Sequence, residues 1–504
     1  MEIYQFLNSL AFILLLFIFL LLRKWKTQKL KLPPGPWKLP FIGSLHHLAL
    51  AGPLPHHGLT NLAKRYGPLM YLQLGEVVMI VISSPRMAKE VLKTHDLVFA
   101  TRPKLTYADI VHYNSTDVVF SPYGEYWRQI RKICTLELLS AKMVNNFVSS
   151  IRQDELSNMI SSTRSMSDLP VNLTEKIIWF TSSVTCRSAL GKICNEHQDK
   201  LIYLMKEILS LSIAVNLADF FPKWKLLHDL GGSKSRLLEV HGKVDEILEY
   251  VVNEHKQNRA NGKKRNGELG SEDLIDVMLR VRESGELQLP ITDDNIKAII
   301  LDMFSAGSET TSTTINWAFA EMMKNPNVLA KAQAEVRQSL KGKKDFQQID
   351  LDELKYLKLV IKETLRMHPP VPIFVPRECM EETKIDGYDI PLKARVLVNA
   401  WAIGRDPESW DNPESFLPER FENSPIDFTG NHHQFIPFSS GRRMCPGMLF
   451  GLANVGQLLA QLLYHFDWKL PNGQSHQSLD MAESPGVSAT RKDDLILIVT
   501  PYDS

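Results

Sequence analysis

The sequence predicts a mainly α-helical protein with small β-sheets, carried behind a single membrane-crossing helix. Three observations lead there. Strand candidates are few, one helix of about 33 residues has clear start and stop signals, and the first 22 residues are almost free of charge.

The N-terminus comes first. From Met1 to Leu22 only Glu2 is charged, and Leu10 to Leu22 is unbroken apolar sequence. A 22-residue helix spans ~33 Å, enough to cross a bilayer. No basic leader or small-residue cleavage site marks it as a signal peptide. Arg23, Lys24, Lys26, Lys29 and Lys31 follow, which places the bulk of the chain on the cytosolic side. Residues 1–22 are therefore the anchor. Residues 23–36, ending in Leu32-Pro33-Pro34-Gly35-Pro36, form a basic, proline-rich hinge, and 37–504 form the catalytic domain.

Within that domain Val77 to Ser84 and Ala394 to Trp401 are the strand candidates, and most of the remainder reads helical. Residues 254–272, charged and rich in Gly and Asn, predict an exposed loop. The long helix begins near Thr292, where Asp293 and Asp294 complement its dipole, and ends before Pro326. Near its middle lies Ala306-Gly307-Ser308-Glu309-Thr310-Thr311. An interior glycine costs about 1 kcal/mol against alanine, and polar groups there oppose packing, so the stretch suggests a function.

Composition excludes some classes. The 58 basic and 57 acidic residues leave a net charge of +1, which gives no footprint for nucleic acid. Cys134, Cys186, Cys194, Cys379 and Cys445 are scattered, odd in number and free of CxxC pairs, so neither a disulfide framework nor a zinc site is expected. The pairs His46-His47, His56-His57 and His432-His433 lack metal-site spacing and read as surface or loop histidines.

Cys445 is different because of its neighbours, Phe438-Ser-Ser-Gly-Arg-Arg-Met-Cys445-Pro-Gly447, which run into an apolar helical stretch. A helix N-terminus and adjacent cations lower a cysteine pKa, Pro446 suits a first helical position, and Gly441 and Gly447 permit close approach. Phe438 would shield the sulfur, and Arg443 could pair with a carboxylate. These features suit a thiolate ligand of iron.

The FxxGxRxCxG pattern resembles the cysteine loop of the cytochrome P450 superfamily, the haem-thiolate monooxygenases. Three further stretches fit in the family's order. Ala306 to Thr311 resembles (A/G)Gx(D/E)T(T/S), Glu363-Thr-Leu-Arg366 its ExxR element, and Pro418-Glu-Arg420-Phe421 the partner of that element. The resemblance implies haem b with Cys445 as the axial ligand of its iron. It implies Ala306 leaving room for O2, Thr310 and Glu309 delivering protons, and Glu363, Arg366 and Arg420 forming a structural network. Trp127 and Arg131, four apart on a presumed helix, are implied propionate partners together with Arg377 and Arg443. Phe438 and Gly447 complete the cofactor set. Segments 102–120, 211–215, 301–306, 371–374 and 484–487 are implied to line a pocket for a small hydrophobic substrate.

Within the superfamily the chain is similar to plant microsomal members, in a subgroup that contains terpene hydroxylases. The implied reaction is hydroxylation of a hydrophobic plant metabolite, with electrons from NADPH through a flavoprotein reductase. The implied location is the endoplasmic reticulum membrane, with the sequons at Asn114 and Asn172 unused. Alkaloid and phenylpropanoid substrates stand as alternatives, as do a haem-thiolate isomerase or dehydratase and a non-catalytic haem sensor. Ser439 and Ser440, where relatives usually have glycine, and Phe374, where a smaller aliphatic residue is common, depart from the pattern.

Overall fold

Thr292 starts the helix around which the domain is built. In this computed structural model, which describes residues 30–191, 195–212, 217–224, 232–262, 272–285, 287–341 and 351–502, that helix runs from Asp293 to Lys324. Its start is a reciprocal cap. Thr292 Oγ1 accepts from the Asn295 N–H at 3.2 Å, and Asn295 Oδ1 accepts from the Thr292 N–H at 3.0 Å. Two donors that a helix start would leave unpaired are thereby satisfied. Pro326 opens the next helix, Pro326–Leu340, and so ends this one.

The central helix is buried on nearly every face and packs against the Leu173–Leu190 and Met448–His465 helices. Gly307 makes one of these approaches possible: a Cβ there would lie 3.2 Å from Thr185 Cγ2 and 3.5 Å from the Phe450 ring. Its helical cost is thus offset by packing, where the sequence suggested function. Asn172 Oδ1 caps the Leu173–Leu190 helix by accepting from the Glu175 N–H at 3.1 Å, so this sequon residue has a structural task.

The largest sheet has four strands in the order Leu69–Leu74, Val77–Ile82, Arg395–Val398 and Arg377–Glu378. The first pair is antiparallel, the middle pair parallel and the last antiparallel. Alternation along the strands divides two cores. Leu69, Tyr71, Ile80 and Ile82 pack on one face with Val396 and Val398, while Met70, Leu72, Leu74, Met79 and Val81 fill the other. Among the described residues, sheets of three and two strands complete the β-structure, and the rest is mainly helical.

Two expectations change. The strand from Ala394 stops at Val398, because the Asn399 side chain accepts from the Ala402 N–H at 3.1 Å and caps a short Ala400–Ile403 helix containing Trp401. The predicted 254–272 loop begins later, since the Ser233–Ala260 helix continues through its first residues. Partners distant in sequence stabilise that continuation: His255 lies 2.9 Å from Asp273, and Arg259 pairs with Glu283 at 2.7 Å. The anchor 1–22 and residues 23–29 of the hinge lie outside the described residues. Among the described residues no helix is long and apolar enough to cross a membrane.

The Glu363, Arg366 and Arg420 network forms as expected. On the Lys355–Met367 helix, Arg366 binds the Glu363 carboxylate with two N–H groups, each at 2.8 Å, and Arg420 Nε reaches Glu363 Oε1 at 2.9 Å. Glu363 is 0% exposed, and Arg366 gives its remaining donors to the Gly404, Pro413 and Ser415 carbonyls. A buried carboxylate thus joins the helix to the segment 404–420. Glu363→Ala leaves a buried guanidinium uncompensated and is expected to cost ~3–5 kcal/mol. The measurement is the yield of protease-resistant protein and its unfolding temperature, and both should fall clearly.

Candidate active site

The cysteine loop holds its shape through one glycine and one strained serine. Gly441 has φ +72°, and a Cβ there would stand 2.2 Å from the Leu92 carbonyl oxygen and 2.6 Å from Asp96 Oδ1, so no larger residue fits. Ser439, one of the departures noted above, has φ +64°, a left-handed conformation that costs a side-chain-bearing residue ~1–2 kcal/mol. Ser440 is buried and donates to the Gly430 carbonyl at 2.7 Å. The loop closes on itself where the Cys445 N–H donates to the Phe438 carbonyl at 2.9 Å.

Two details differ from expectation. The following helix begins at Met448 with Gly447 as its N-cap, so Pro446 sits in the preceding turn. Gly447 has an ordinary φ of −89°, and a Cβ there would only touch the Cys445 sulfur at 4.0 Å.

Cys445 lies on the wall of a cavity of about 620 Å³ and is exposed to it. Burial pushes its thiol above the ordinary value, while the Gly447 N–H and the Arg131 charge pull the other way and lose. The expected lowering by the loop itself is therefore not found. A thiolate here requires a cation on the open side of the sulfur, as a bound metal would supply.

The central helix crosses the same cavity. Ala306, Glu309 and Thr310 all reach its surface, together with Gly307 and Phe438. Thr310 Oγ1 donates to the Ala306 carbonyl at 2.7 Å, the intrahelical bond expected of an ordinary helical threonine, and its oxygen keeps lone pairs to accept with. Glu309 is raised by burial against the weaker opposing pull of Lys206.

Beside the cysteine loop lies an unusual concentration of positive charge. Arg102, Arg131, Arg377 and Arg443 all line the cavity. Arg443 donates to the carbonyls of Ala100 at 2.7 Å, Ser121 at 2.6 Å and Val118 at 3.3 Å. Arg102 donates to those of Val119 at 2.9 Å and Pro376 at 2.9 Å, Arg377 to that of Ser440 at 3.2 Å, and Arg131 to that of Met444. Burial and mutual repulsion hold Arg443 down to about 9. Burial also holds Arg377 down to about 10 despite Asp96, 3.6 Å away. Arg102, buried and facing Arg443, Arg377 and Arg131, is driven well below its ordinary value.

This arrangement fits haem. A thiol aimed into the cavity offers an axial ligand, and surplus buried positive charge beside it suits two carboxylates. Arg102, which the sequence placed only at the start of a pocket wall, joins the cationic set. Its signal was absent because no motif surrounds it. Trp127 departs from expectation: its indole N–H donates to the Val118 carbonyl at 3.0 Å, and Arg443 lies over its ring at 4.1 Å. In this structure it orders the arginine and the 118 segment instead of offering a free donor.

The pocket walls largely follow the expected segments. Val371 to Phe374 line the cavity throughout, with parts of 102–120, 301–306 and 484–487, whereas 213–215 lie outside the described residues. Sequence reasoning missed three buried clusters. His56 is 2% exposed and lies 2.6 Å from Glu483, while His112 pairs with Asp117 and Asp302, and His255 with Asp273. His56 is therefore a core residue, not a surface one. Apart from His112 and Asp117, these partners stand too far apart in the chain for spacing to show them.

A family model described as Cytochrome P450 matches residues 33–497. The chain is 58% identical over 501 residues to premnaspirodiene oxygenase of Hyoscyamus muticus, covering 99% of each protein. It is 57% identical over 503 residues to 5-epiaristolochene 1,3-dihydroxylase of Nicotiana tabacum, again covering 99% of each. Its fold is similar to a zebra fish cytochrome P450 solved with progesterone, with a TM-score of 0.77 and 26% identity over 89% of this chain and 99% of the other.

The buried cations generate a prediction. Arg443→Ala removes three carbonyl contacts and one positive charge without altering Cys445. Haem content per protein, read by absorbance after gel filtration, should fall at least about threefold, the loss expected for one charge-assisted contact. Full retention would show that Arg443 serves only the loop.

Proposed function

The chain belongs to the cytochrome P450 family, and on that premise we propose that it is a membrane-anchored hydroxylase of sesquiterpene-type hydrocarbons, facing the cytosol at the endoplasmic reticulum. Its chemistry is that of a haem-thiolate monooxygenase using haem b, O2 and electrons supplied by NADPH through a redox partner. When bound, haem supplies oxygen activation. The residues described here hold it, shape the space above it and move protons.

The observation that carries the substrate reading is the cavity above Cys445, walled mostly by apolar side chains such as Leu105, Val371, Ile373, Phe374 and Val487. Such a wall selects by shape. Two of the carboxylates on that wall hold backbone or hydroxyl groups. Asp302 accepts from the Val118 and Val119 N–H groups, and Asp219 accepts from the Thr106 N–H and hydroxyl. The names of the Hyoscyamus and Nicotiana relatives point to premnaspirodiene and 5-epiaristolochene as first substrates to try.

The anchor reading rests on residues 1–22 and the basic run after them. A cytosolic catalytic domain leaves Asn114 and Asn172 unmodified and puts the partner, a flavoprotein reductase, on the same side of the membrane.

For the site residues, Cys445 would ligate the haem iron, and Arg102, Arg131, Arg377 and Arg443 would hold the propionates. Phe438 covers the sulfur. Ala306 leaves room on the opposite side. Thr310, already donating to Ala306, accepts from a water and keeps it in place, and Glu309 exchanges protons with that water.

The deciding experiment supplies microsomes containing the full chain and a reductase with NADPH and each of the two sesquiterpenes. Oxygen-dependent hydroxylated product is expected. Turnover of phenylpropanoids or alkaloids with none of sesquiterpenes would overturn the substrate reading.

Thr310→Ala should keep its haem but lose product per NADPH by roughly tenfold or more, with peroxide released instead. The measurement is the ratio of product, peroxide and NADPH. Because burial raises the Glu309 pKa, its carboxyl holds a proton to higher pH than an exposed one would. Coupling should therefore decline as pH rises through that raised value, and Glu309→Gln should flatten the profile.

A further inference from the structure

The wall segment between Arg102 and Phe120 contains a conformation that needs a cause. Tyr113, Asn114 and Ser115 have φ of 47°, 62° and 58°, three successive left-handed residues with no glycine among them. Strain of this kind persists only where the surroundings over-determine it. On the outer side the Tyr113 hydroxyl donates to Asp245 at 2.5 Å, and Lys297 of the central helix pairs with the same carboxylate at 2.6 Å. On the inner side His112 Nδ1 lies 2.9 Å from Asp117 Oδ2 and 3.6 Å from Asp302 Oδ1, with all three side chains at most 3% exposed.

The two carboxylates also hold the backbone. Asp302 Oδ2 accepts from the N–H groups of Val118 at 2.7 Å and Val119 at 3.1 Å. Asp117 Oδ1 accepts from those of Phe120 at 2.7 Å and Ser121 at 3.0 Å. Val118, Val119 and Phe120 face the cavity, so these four bonds set the position of its wall. Two buried carboxylates so close repel each other, and a cation between them or a proton on one of them relieves the repulsion. Burial alone would push His112 down, but the charges of Asp117 and Asp302 beside it hold it above the ordinary imidazole range, while burial and the Asp117 charge drive the Asp302 carboxyl well above its own.

We infer that His112 is a positioning residue that sets substrate specificity: its ring, held between Asp117 and Asp302, pins the Val118–Phe120 wall to the central helix and fixes the shape of the cavity. The inference rests on the monooxygenase reading, but not on which hydrocarbon is the substrate. Asp302 supplies the anchor on the helix, Asp117 the anchor on the wall, and His112 stands between them.

The test uses the full-length haem-loaded protein without substrate. His112→Phe keeps a ring and removes the charge and the N–H. Hydrogen exchange across residues 105–121 should accelerate by ~tenfold or more, with 293–324 and the haem content unchanged. His112→Phe combined with Asp117→Asn removes the excess negative charge while an amide oxygen still accepts from Phe120 and Ser121, and should restore most of the protection. His112→Gln, a milder change, should give a smaller acceleration of the same peptides.

The shape of the cavity is read separately by titration with 4-phenylimidazole, whose nitrogen ligates haem iron while its ring meets the wall. Its Kd should rise about threefold or more in His112→Phe and recover in the double variant, a change of under 1 kcal/mol. Unchanged exchange in both single variants would overturn the inference. So would an unchanged Kd, or a double variant no better protected than His112→Phe, since either would reduce His112 to packing. Failure of the parent protein to oxidise any sesquiterpene would sink the substrate reading and leave both of these readouts standing.

Discussion

Positive charge buried beside a thiol is the constraint on which the active region depends. Arg102, Arg131, Arg377 and Arg443 cannot be left dry and unpaired, so the fold wraps them in backbone carbonyls. Those carbonyls come from segments near 100, 118–121, 376 and 440–444. Satisfying the guanidiniums therefore assembles the cavity floor. What carbonyls cannot supply is a countercharge, and Asp96 offers one only at 3.6 Å from Arg377. The remaining demand for anions is the physical basis on which two haem propionates fit the site.

Burial acts on the thiol in the opposite sense. It favours the neutral sulfur of Cys445, and neither the Gly447 N–H nor Arg131 reverses that. The loop is thus built to present the sulfur, through Gly441 and the Cys445-to-Phe438 bond, more than to ionise it. Above it lies the central helix, held by polar contacts at its start and near its middle. Its start is capped by Thr292 and Asn295, and Asp302 is committed to the wall opposite. A ceiling so held and a pinned wall suit selection by shape, which an apolar substrate with no charge to recognise requires.

Local signals were legible where the physics is local. The ends of the central helix, at Thr292 and Pro326, follow from capping and from the missing proline N–H, and the structure places them there. Glu363 and Arg366 are three apart on one helix and meet as that spacing requires, while the arrival of Arg420 was anticipated only by resemblance. Signals that depend on distant partners were misread. The charged start of 254–272 looked solvent-exposed, yet His255 and Arg259 find Asp273 and Glu283 on another helix. Gly307 looked functional because its helical cost is visible in sequence, whereas Thr185 and Phe450, which justify it, are not.

Three short-range patterns were readable in the sequence, a cysteine loop, an AGxET stretch and an ExxR pair; the last meets as a buried ion pair, and the first two line one cavity. Tertiary structure decided where those groups aim. It committed the Trp127 indole to Val118, added Arg102 to the cationic set, and brought His112, Asp117 and Asp302 into one buried cluster. The reason is that direction and desolvation arise only when separate segments pack together. Residue spacing records what a helix or a turn can do alone, and a pocket is made by what several of them exclude.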